Sequence, residues 1–152
     1  MDARTGAREA ASTGLVELTF RLHGRVSSLL ARDARQHRLT PSEAAALLAL
    51  AHGRMSISRV AEATGIRPNG ASVLVERLRE RGLVRRERDA RDNRVVTVEL
   101  TPHGRAVAAE LDARAREQLE IMLSPLSSPE QAQLLSLLAR IVETGVRTAQ
   151  SP

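Results

Sequence analysis

The sequence predicts a mainly α-helical chain that contains a small β-hairpin. Apolar residues recur at steps of three and four over most of the 152 residues, and they alternate with polar residues only between about 83 and 100. The terminal helices carry more apolar residues than one small core requires. We therefore expect dimerisation regions at 12–36 and 102–148 around a central domain at 40–101, with disordered tails at 1–11 and 149–152.

The first two helices have clear sequence signals. Leucines and valines at helical spacing predict the first helix over 13–36. Thr40-Pro41-Ser42-Glu43 has the form of a capping box, in which the threonine and glutamate side chains satisfy each other's free backbone N–H groups. Proline suits the first helical position, so the second helix is predicted to start there and to end near Gly53.

Two shorter helices follow, joined by a tight turn. Ser56 is a suitable N-cap for a helix over about 57–63, which Gly65 ends. Pro68 opens the next helix, which runs to about 81. At 100° per residue, this helix has one apolar side and one polar side. The apolar side holds Ala71, Leu74, Val75 and Leu78, and the opposite side holds Asn69, Ser72, Val73 and Glu76.

The remainder of the chain is predicted to form the hairpin and two more helices. Two strands, over 83–88 and 94–100, flank a polar loop at 89–93. Thr101-Pro102 opens a long helix to about Leu123. Ser128-Pro129-Glu130-Gln131 has the form of a second capping box and is predicted to start the last helix.

Composition excludes several classes of function. The absence of cysteine excludes disulfides and thiolate metal sites, and a single aromatic residue cannot form a platform for stacked bases. The four histidines are scattered, so no metal is expected. No phosphate-binding loop, activated nucleophile or carboxylate pair is evident, so we expect neither an enzyme nor a cofactor. No long apolar run or signal sequence is evident either, and a cytoplasmic protein without membrane association is expected.

Positive charge is concentrated in one short segment. Eight arginines and four carboxylates lie between Arg77 and Arg94, in a chain whose net charge is +5. The chain contains no lysine. A genome rich in G and C accounts for the use of arginine instead, but it does not account for the position of the arginines. Charge clustered in this way is typical of a surface that binds a polyphosphate.

Two short helices joined by a tight turn and followed by a hairpin predict a winged helix-turn-helix, in which the second helix fits the major groove of DNA. Its candidate contacts with the major groove are Arg67, Asn69, Ser72, Val73 and Arg77. The candidate contacts of the hairpin, or wing, are Arg88, Arg91 and Arg94, with Asp89 and Asp92 holding the arginines in place. Each part has a simpler explanation as well, because a charged hairpin tip is often only a solvated turn. A winged helix that binds protein, or an architectural DNA binder without sequence preference, is the alternative.

The sequence resembles the MarR family of bacterial transcription regulators over roughly 12–148. The resemblance rests on SVLVERLRERGLV at 72–84, DARDNR at 89–94 and LTPHGR at 100–105, an Asp-x-Arg-Asp-x-Arg wing that leads into a Leu-Thr-x-x-Gly helix start. It implies a homodimer built from the terminal helices, and most often a repressor. It also implies that the recognition helices enter successive major grooves of a pseudo-palindromic operator, and that Arg91, supported by Asp89, enters the minor groove.

The resemblance also implies release from DNA when a small organic effector binds. The first two helices border the effector pocket in the family, which makes Phe20, His23, Leu47, His52 and Arg54 the candidate pocket residues. A place in the core or in the dimer interface is the alternative for Phe20. The absence of cysteine excludes thiol-based sensing.

Overall fold

The computed structural model describes the backbone of residues 3–88 and 96–148 and the side chains of residues 13–87 and 96–142. Six helices and three strands lie in these ranges. In chain order they are α1 Ala3–Gln36, α2 Pro41–Leu50, β1 Met55–Ser56, α3 Ile57–Thr64, α4 Pro68–Glu80, β2 Val84–Arg88, β3 Val96–Leu100, α5 Pro102–Leu123 and α6 Ser128–Thr148. The chain divides into two units, Met1–Ala115 and Arg116–Pro152. The mainly helical fold with a small antiparallel sheet is thus confirmed.

The first unit contains the hydrophobic core. Its buried side chains come from the end of α1, from α2 to α4, from the sheet and from the first half of α5. They are Ala34, Leu39, Ala44, Ala46, Leu47, Leu50, Val60, Leu74, Val75, Leu78, Leu83, Val84, Val98, Leu100, Val107, Ala108 and Leu111. The helix-turn-helix and the hairpin therefore share one core, which holds them in a defined relation to each other.

Most helix starts confirm the predicted capping signals. Thr40 Oγ1 accepts from the backbone N–H of Glu43 at 3.2 Å, and the Glu43 carboxylate accepts from the backbone N–H of Thr40 at 2.8 Å, which completes the capping box. Ser56 caps α3 by accepting from the backbone N–H of Arg59 at 3.3 Å. These side chains replace the hydrogen-bond partners that the first turn of a helix lacks.

One predicted helix start and one predicted cap are wrong. α1 begins at Ala3 and not at 13, because residues 3–12 are rich in alanine and arginine, which favour a helix without any apolar spacing. α6 starts at Ser128 as predicted, but the residue that pairs with Glu130 at its N-terminus is Ser127 and not Ser128. The Glu130 carboxylate accepts from the backbone N–H of Ser127 at 2.8 Å and from its hydroxyl at 2.6 Å. Ser127 and Glu130 have the required spacing, and a carboxylate near a helix N-terminus is favoured over the Gln131 amide.

The sheet contains one strand that was not predicted. β1 pairs with β3 in an antiparallel arrangement, Met55 opposite Val98 and Ser56 opposite Thr97, so the strand order is β1-β3-β2. Two residues are too few to show a period of two. Because β3 is the central strand, Thr97 is buried as well as Val98, which the predicted alternation did not include.

The second unit consists of the end of α5, a short connection and α6. The Gln131 amide donates to the backbone oxygens of Leu123 at 3.3 Å and Leu126 at 3.0 Å, which satisfies one carbonyl at the end of α5 and one in the connection. No helix within the described ranges combines the length and the apolar content that crossing a membrane requires.

Candidate nucleic-acid interface

α3 and α4 form a helix-turn-helix. Gly65 ends α3 with a φ of 66°, a left-handed conformation that glycine adopts without steric cost. The backbone N–H of Ile66 then donates to the oxygen of Ala61 at 3.2 Å, which closes the turn. Ala61 and Val60 are buried, and α4 begins three residues after the glycine, at Pro68.

α4 has two sides with opposite properties. Ala71, Leu74, Val75 and Leu78 are all buried, as predicted. On the other side Asn69, Val73 and Arg77 are exposed, and the Ser72 hydroxyl donates to the backbone oxygen of Pro68 at 3.3 Å. Arg67 is the exposed N-cap residue of α4 and makes no side-chain capping hydrogen bond. The five predicted major-groove residues therefore lie along one helix, and four of them are exposed.

A network of charged side chains joins α4 to the hairpin, and sequence reasoning missed it. The guanidinium of Arg86 in β2 donates to the backbone oxygen of Ser72 at 3.3 Å and lies 3.8 Å from the Glu76 carboxylate. Arg79 donates to the same carboxylate, with Nε 3.0 Å from Oε1. The position of Arg86 could have been predicted from the alternation of side chains along a strand. Arg86 pairs opposite the buried Val98, so it lies on the side of the sheet that faces the core.

The opposite side of the hairpin pairs its charges internally. Arg85 donates to the Glu99 carboxylate on the neighbouring strand, and it also lies 3.2 Å from Glu87. The register places Arg85 directly opposite Glu99, a position where opposite charges stabilise a strand pair. Arg85 and Arg86 thus have different partners although they are adjacent in sequence.

The tip of the predicted wing lies outside the described residues. This applies to Asp89, Arg91, Asp92 and Arg94, and to the side chain of Arg88, whose backbone ends β2. Their roles stay predictions. The two strands that lead to the tip are paired from Val84 opposite Leu100 to Arg88 opposite Val96.

Arg81 attaches the end of α4 to the connection between α1 and α2. Its guanidinium donates to the backbone oxygens of His37 at 2.7 Å and Arg38 at 2.9 Å. It also lies 3.8 Å from the carboxylate of Glu43, whose side chain is only 8% exposed. One arginine therefore connects the capping box of α2 to the C-terminus of α4 and restricts where α4 points.

The junction between α4, the sheet and α5 explains the Leu-Thr-x-x-Gly sequence. Thr101 caps α5 by accepting from the backbone N–H of Gly104 at 3.0 Å, while its hydroxyl donates to the oxygen of Gly82 at 2.7 Å. The backbone N–H of Thr101 donates to the oxygen of Leu83 at 3.1 Å. This close approach requires glycine at 104, because a Cβ there would lie 1.9 Å from the Leu83 oxygen.

The five predicted effector-pocket residues have different surroundings. Leu47 is fully buried in the core, whereas the side chain of Phe20 is 71% exposed on α1. His23 is exposed beside Ser27, with Nε2 3.3 Å from the hydroxyl oxygen, and His52 and Arg54 are exposed after α2. Leu47 is therefore a core residue, and the assignment of a pocket stays a prediction. Within the described ranges there is no group of three or more potential metal-ligating side chains.

Two short helices with a left-handed glycine between them, the second helix half buried and half polar, and a hairpin directly after it define a winged helix-turn-helix protein. Comparison with known proteins identifies the family. The model of the MarR family matches residues 37–94. The HTH-type transcriptional repressor NicR of Pseudomonas putida is 30% identical over 128 residues, which cover 84% of this chain and 81% of the relative.

Solved structures show the same similarity. A probable transcriptional regulator from Pseudomonas aeruginosa is 35% identical, with a TM-score of 0.66 over 82% of this chain and 93% of that one. BpsR of Bordetella bronchiseptica is 28% identical, with a TM-score of 0.70 over 84% of this chain and 98% of that one. The chain belongs to the MarR family of transcription regulators, a family of regulators and not of enzymes.

Proposed function

We propose that this MarR-family regulator is a homodimeric repressor that binds a pseudo-palindromic site in duplex DNA. The observation that carries the proposal is the division of α4, where a buried apolar side lies beneath an exposed side that holds Asn69, Val73 and Arg77. A helix supported in this way presents side chains at a fixed depth, which reading the major groove requires. The name of the relative NicR supports the repressor role.

The side chains on the exposed side of α4 suit the chemistry of base edges. Arginine recognises guanine and asparagine recognises adenine through paired hydrogen bonds, so we assign these contacts to Arg67 and Asn69. Val73 is 54% exposed, and an exposed valine among polar residues suits a thymine methyl group. Ser72 and Arg77 complete the proposed major-groove surface.

The wing is proposed to contact the flanking minor groove. Arg91 is the central residue of the polar loop predicted at 89–93, and an arginine fits the negative potential of a narrow minor groove. Arg88 and Arg94 flank it for phosphate contacts, and Asp89 and Asp92 are proposed to hold the arginines in place. The paired strands Val84–Arg88 and Val96–Leu100 support this role, because they give the loop a stable base.

DNA binding is tested with a duplex selected by the protein from a random library. We expect an inverted repeat with half-sites about one helical turn apart, and an affinity that falls steeply with salt. Arg91→Ala is expected to weaken binding by about 1–3 kcal/mol, the value of one good groove contact. Arg114→Ala, which removes the same charge from an exposed position on α5, is the control and is expected to bind like the parent.

The outcome separates the competing functions. Equal affinity for the selected and a scrambled duplex would indicate an architectural binder, and no salt-dependent duplex binding at all would indicate a protein-interaction module. An Arg91→Ala variant that binds as tightly as the parent would contradict the role of the wing. A reporter gene placed behind the selected site is expected to be transcribed less when the protein is present.

The homodimer is supported by apolar side chains exposed on the terminal helices. Monomeric proteins rarely expose large contiguous apolar patches. Among the side chains at 13–87 and 96–142, fourteen large apolar residues are exposed, and thirteen of them belong to α1, α5 and α6. They are Leu15, Val16, Leu18, Phe20, Leu22 and Val26 on α1, Leu119 and Ile121 on α5, and Leu135, Leu137, Leu138, Ile141 and Val142 on α6. A second copy of the chain is the proposed partner, because it offers the same apolar surfaces in return.

The dimer predicts a specific effect of a charge on α6. The parent is expected to sediment at twice the chain mass of 16.5 kDa. Leu135→Glu is expected to weaken association by about 3–5 kcal/mol, because it would bury an unpaired carboxylate in the interface. Val73→Glu is the matched control, since Val73 is also an exposed apolar residue on a helix and is not part of the proposed interface. A parent that sediments as a monomer at micromolar concentration would overturn the dimer.

We also propose that a small organic effector regulates DNA binding. The DNA binding of the relative BpsR is regulated by 6-hydroxynicotinic acid, which makes this compound the first probe. His23, His52 and Arg54 are the candidate contacts that are exposed and lie outside the proposed dimer interface, to which Phe20 is assigned. Adding the probe to the binding assay is expected to lower the affinity for the selected duplex, and unchanged affinity excludes this compound as the effector.

A further inference from the structure

Glu76 is an acidic residue in the middle of the proposed DNA-binding surface. It lies on α4 between Val73 and Arg77, and its carboxylate is bound by arginines from two different elements. Arg79 of α4 donates to Oε1, while Nη2 of Arg86 in β2 lies 3.8 Å from Oε2. Both carboxylate oxygens are therefore engaged within the protein.

The carboxylate stays charged under physiological conditions. The hydrogen bond from Arg79 lowers the pKa of Glu76, and the positive charges of Arg79 and Arg86 lower it further. A charged carboxylate on this surface repels DNA phosphates, and it also occupies two guanidinium groups that would otherwise bind them.

We propose that Glu76 is a specificity determinant, because it keeps Arg79 and Arg86 bound to the protein and so reduces binding to DNA of unrelated sequence. This inference rests on the proposed function. Affinity for unrelated DNA comes almost entirely from phosphate contacts, which the protein makes in whatever position offers the most of them. Glu76 makes two arginines unavailable for phosphate contacts and adds a negative charge to the surface, and both effects lower the affinity for unrelated DNA.

Binding to the correct site depends less on these two arginines. There the base contacts of Arg67 and Asn69 hold α4 at one depth and one register in the groove. Discrimination between two DNA sequences increases when the complex with the unrelated sequence is weakened, even if the complex with the correct site is not strengthened. Glu76 is thus a positioning residue, which acts through Arg79 and Arg86.

A direct contact between Glu76 and a base is the competing explanation, since a carboxylate accepts from the N4 amino group of cytosine. The structure favours the positioning role, because Arg79 and Arg86 already engage both oxygens. The two roles predict opposite effects on the correct site, so one variant separates them.

The test compares Glu76→Gln with Glu80→Gln, a control on the same helix that changes the net charge equally and acts on Arg79 only through its charge, without a hydrogen bond. Each is measured on the selected duplex and on a scrambled duplex over a range of salt concentrations. For Glu76→Gln we expect about tenfold tighter binding to the scrambled duplex and a salt slope steeper by about 1–2, because each new phosphate contact adds about 0.9. On the selected duplex a change below about threefold is expected. Adding Arg79→Ala and Arg86→Ala to Glu76→Gln is expected to cancel the gain.

Three results would overturn the inference. Equal effects of Glu76→Gln and Glu80→Gln would show that only net charge matters. Weaker binding to the selected duplex, with no change on the scrambled one, would show a direct base contact. Unchanged affinity and slope would show that Arg79 and Arg86 do not reach phosphate. If the parent itself binds neither duplex, the proposed function fails and this inference fails with it, whereas a parent that discriminates leaves only the inference in question.

Discussion

Gly104→Ala is expected to destabilise the folded chain by about 3 kcal/mol or more, above the usual 1–3 kcal/mol for one extra carbon in a packed site. A Cβ at this position would lie 1.9 Å from the oxygen and 2.9 Å from the carbonyl carbon of Leu83. These are backbone atoms, which cannot turn aside as a side chain does. The start of α5 would have to move away, and the hydrogen bonds of Thr101 to Gly82 and Leu83 would break.

The measurement is urea unfolding at one protein concentration, because the apparent stability of the proposed dimer would depend on concentration. Gly70→Ala is the matched control. It is also a glycine inside a helix, but the nearest atom to its added Cβ would be 3.9 Å away, at the end of the Ile66 side chain. It is expected to stabilise the chain by up to about 1 kcal/mol, since alanine favours a helix more than glycine does. A Gly104→Ala variant as stable as the parent would show that the junction is not rigid.

Local signals predicted the helix-turn-helix well. The capping residues Thr40, Glu43 and Ser56 and the left-handed Gly65 act within four residues of themselves, so their effect can be inferred from spacing alone. The buried side of α4 followed from the helical period. The family resemblance rested on residue patterns in the same region and is confirmed by the comparisons.

Features that join distant parts of the chain were not predicted. Arg81 reaches the backbone oxygens of His37 and Arg38, more than forty residues earlier, and no local pattern indicates such a contact. No local pattern indicates the hydrogen bond from Arg86 to the backbone oxygen of Ser72 either, or the close approach of Gly104 to the Leu83 backbone. These contacts depend on how elements pack, which spacing within one element does not describe.

The charge cluster illustrates the difference. The sequence holds eight arginines between Arg77 and Arg94, and their clustering predicts one basic surface. The structure assigns partners to four of the five whose side chains it describes, because Arg81 binds backbone oxygens, Arg85 pairs with carboxylates of the hairpin, and Arg79 and Arg86 share Glu76. Positive charge in a sequence therefore overestimates the number of arginines that are available to phosphate.

The two sides of α4 are expected to respond differently to the loss of a side chain. Leu78 is fully buried, so Leu78→Ala is expected to cost about 2–5 kcal/mol of stability through lost burial and the cavity that remains. Val73 is 54% exposed, so Val73→Ala is expected to change stability by less than about 0.5 kcal/mol. If Val73 contacts a thymine methyl, the same variant weakens binding to the selected duplex by about 1 kcal/mol.

Each variant is the control for the other, since both shorten an aliphatic side chain of the same helix. Urea unfolding is expected to detect only Leu78→Ala, and duplex binding by folded protein is expected to detect Val73→Ala. A stable Leu78→Ala variant would contradict the core, and unchanged binding by Val73→Ala would remove Val73 from the groove. In the proposed function, stability and recognition depend on different sides of one helix. Residues on the exposed side would then be free to change with the DNA sequence that is read, while those on the buried side are constrained by packing.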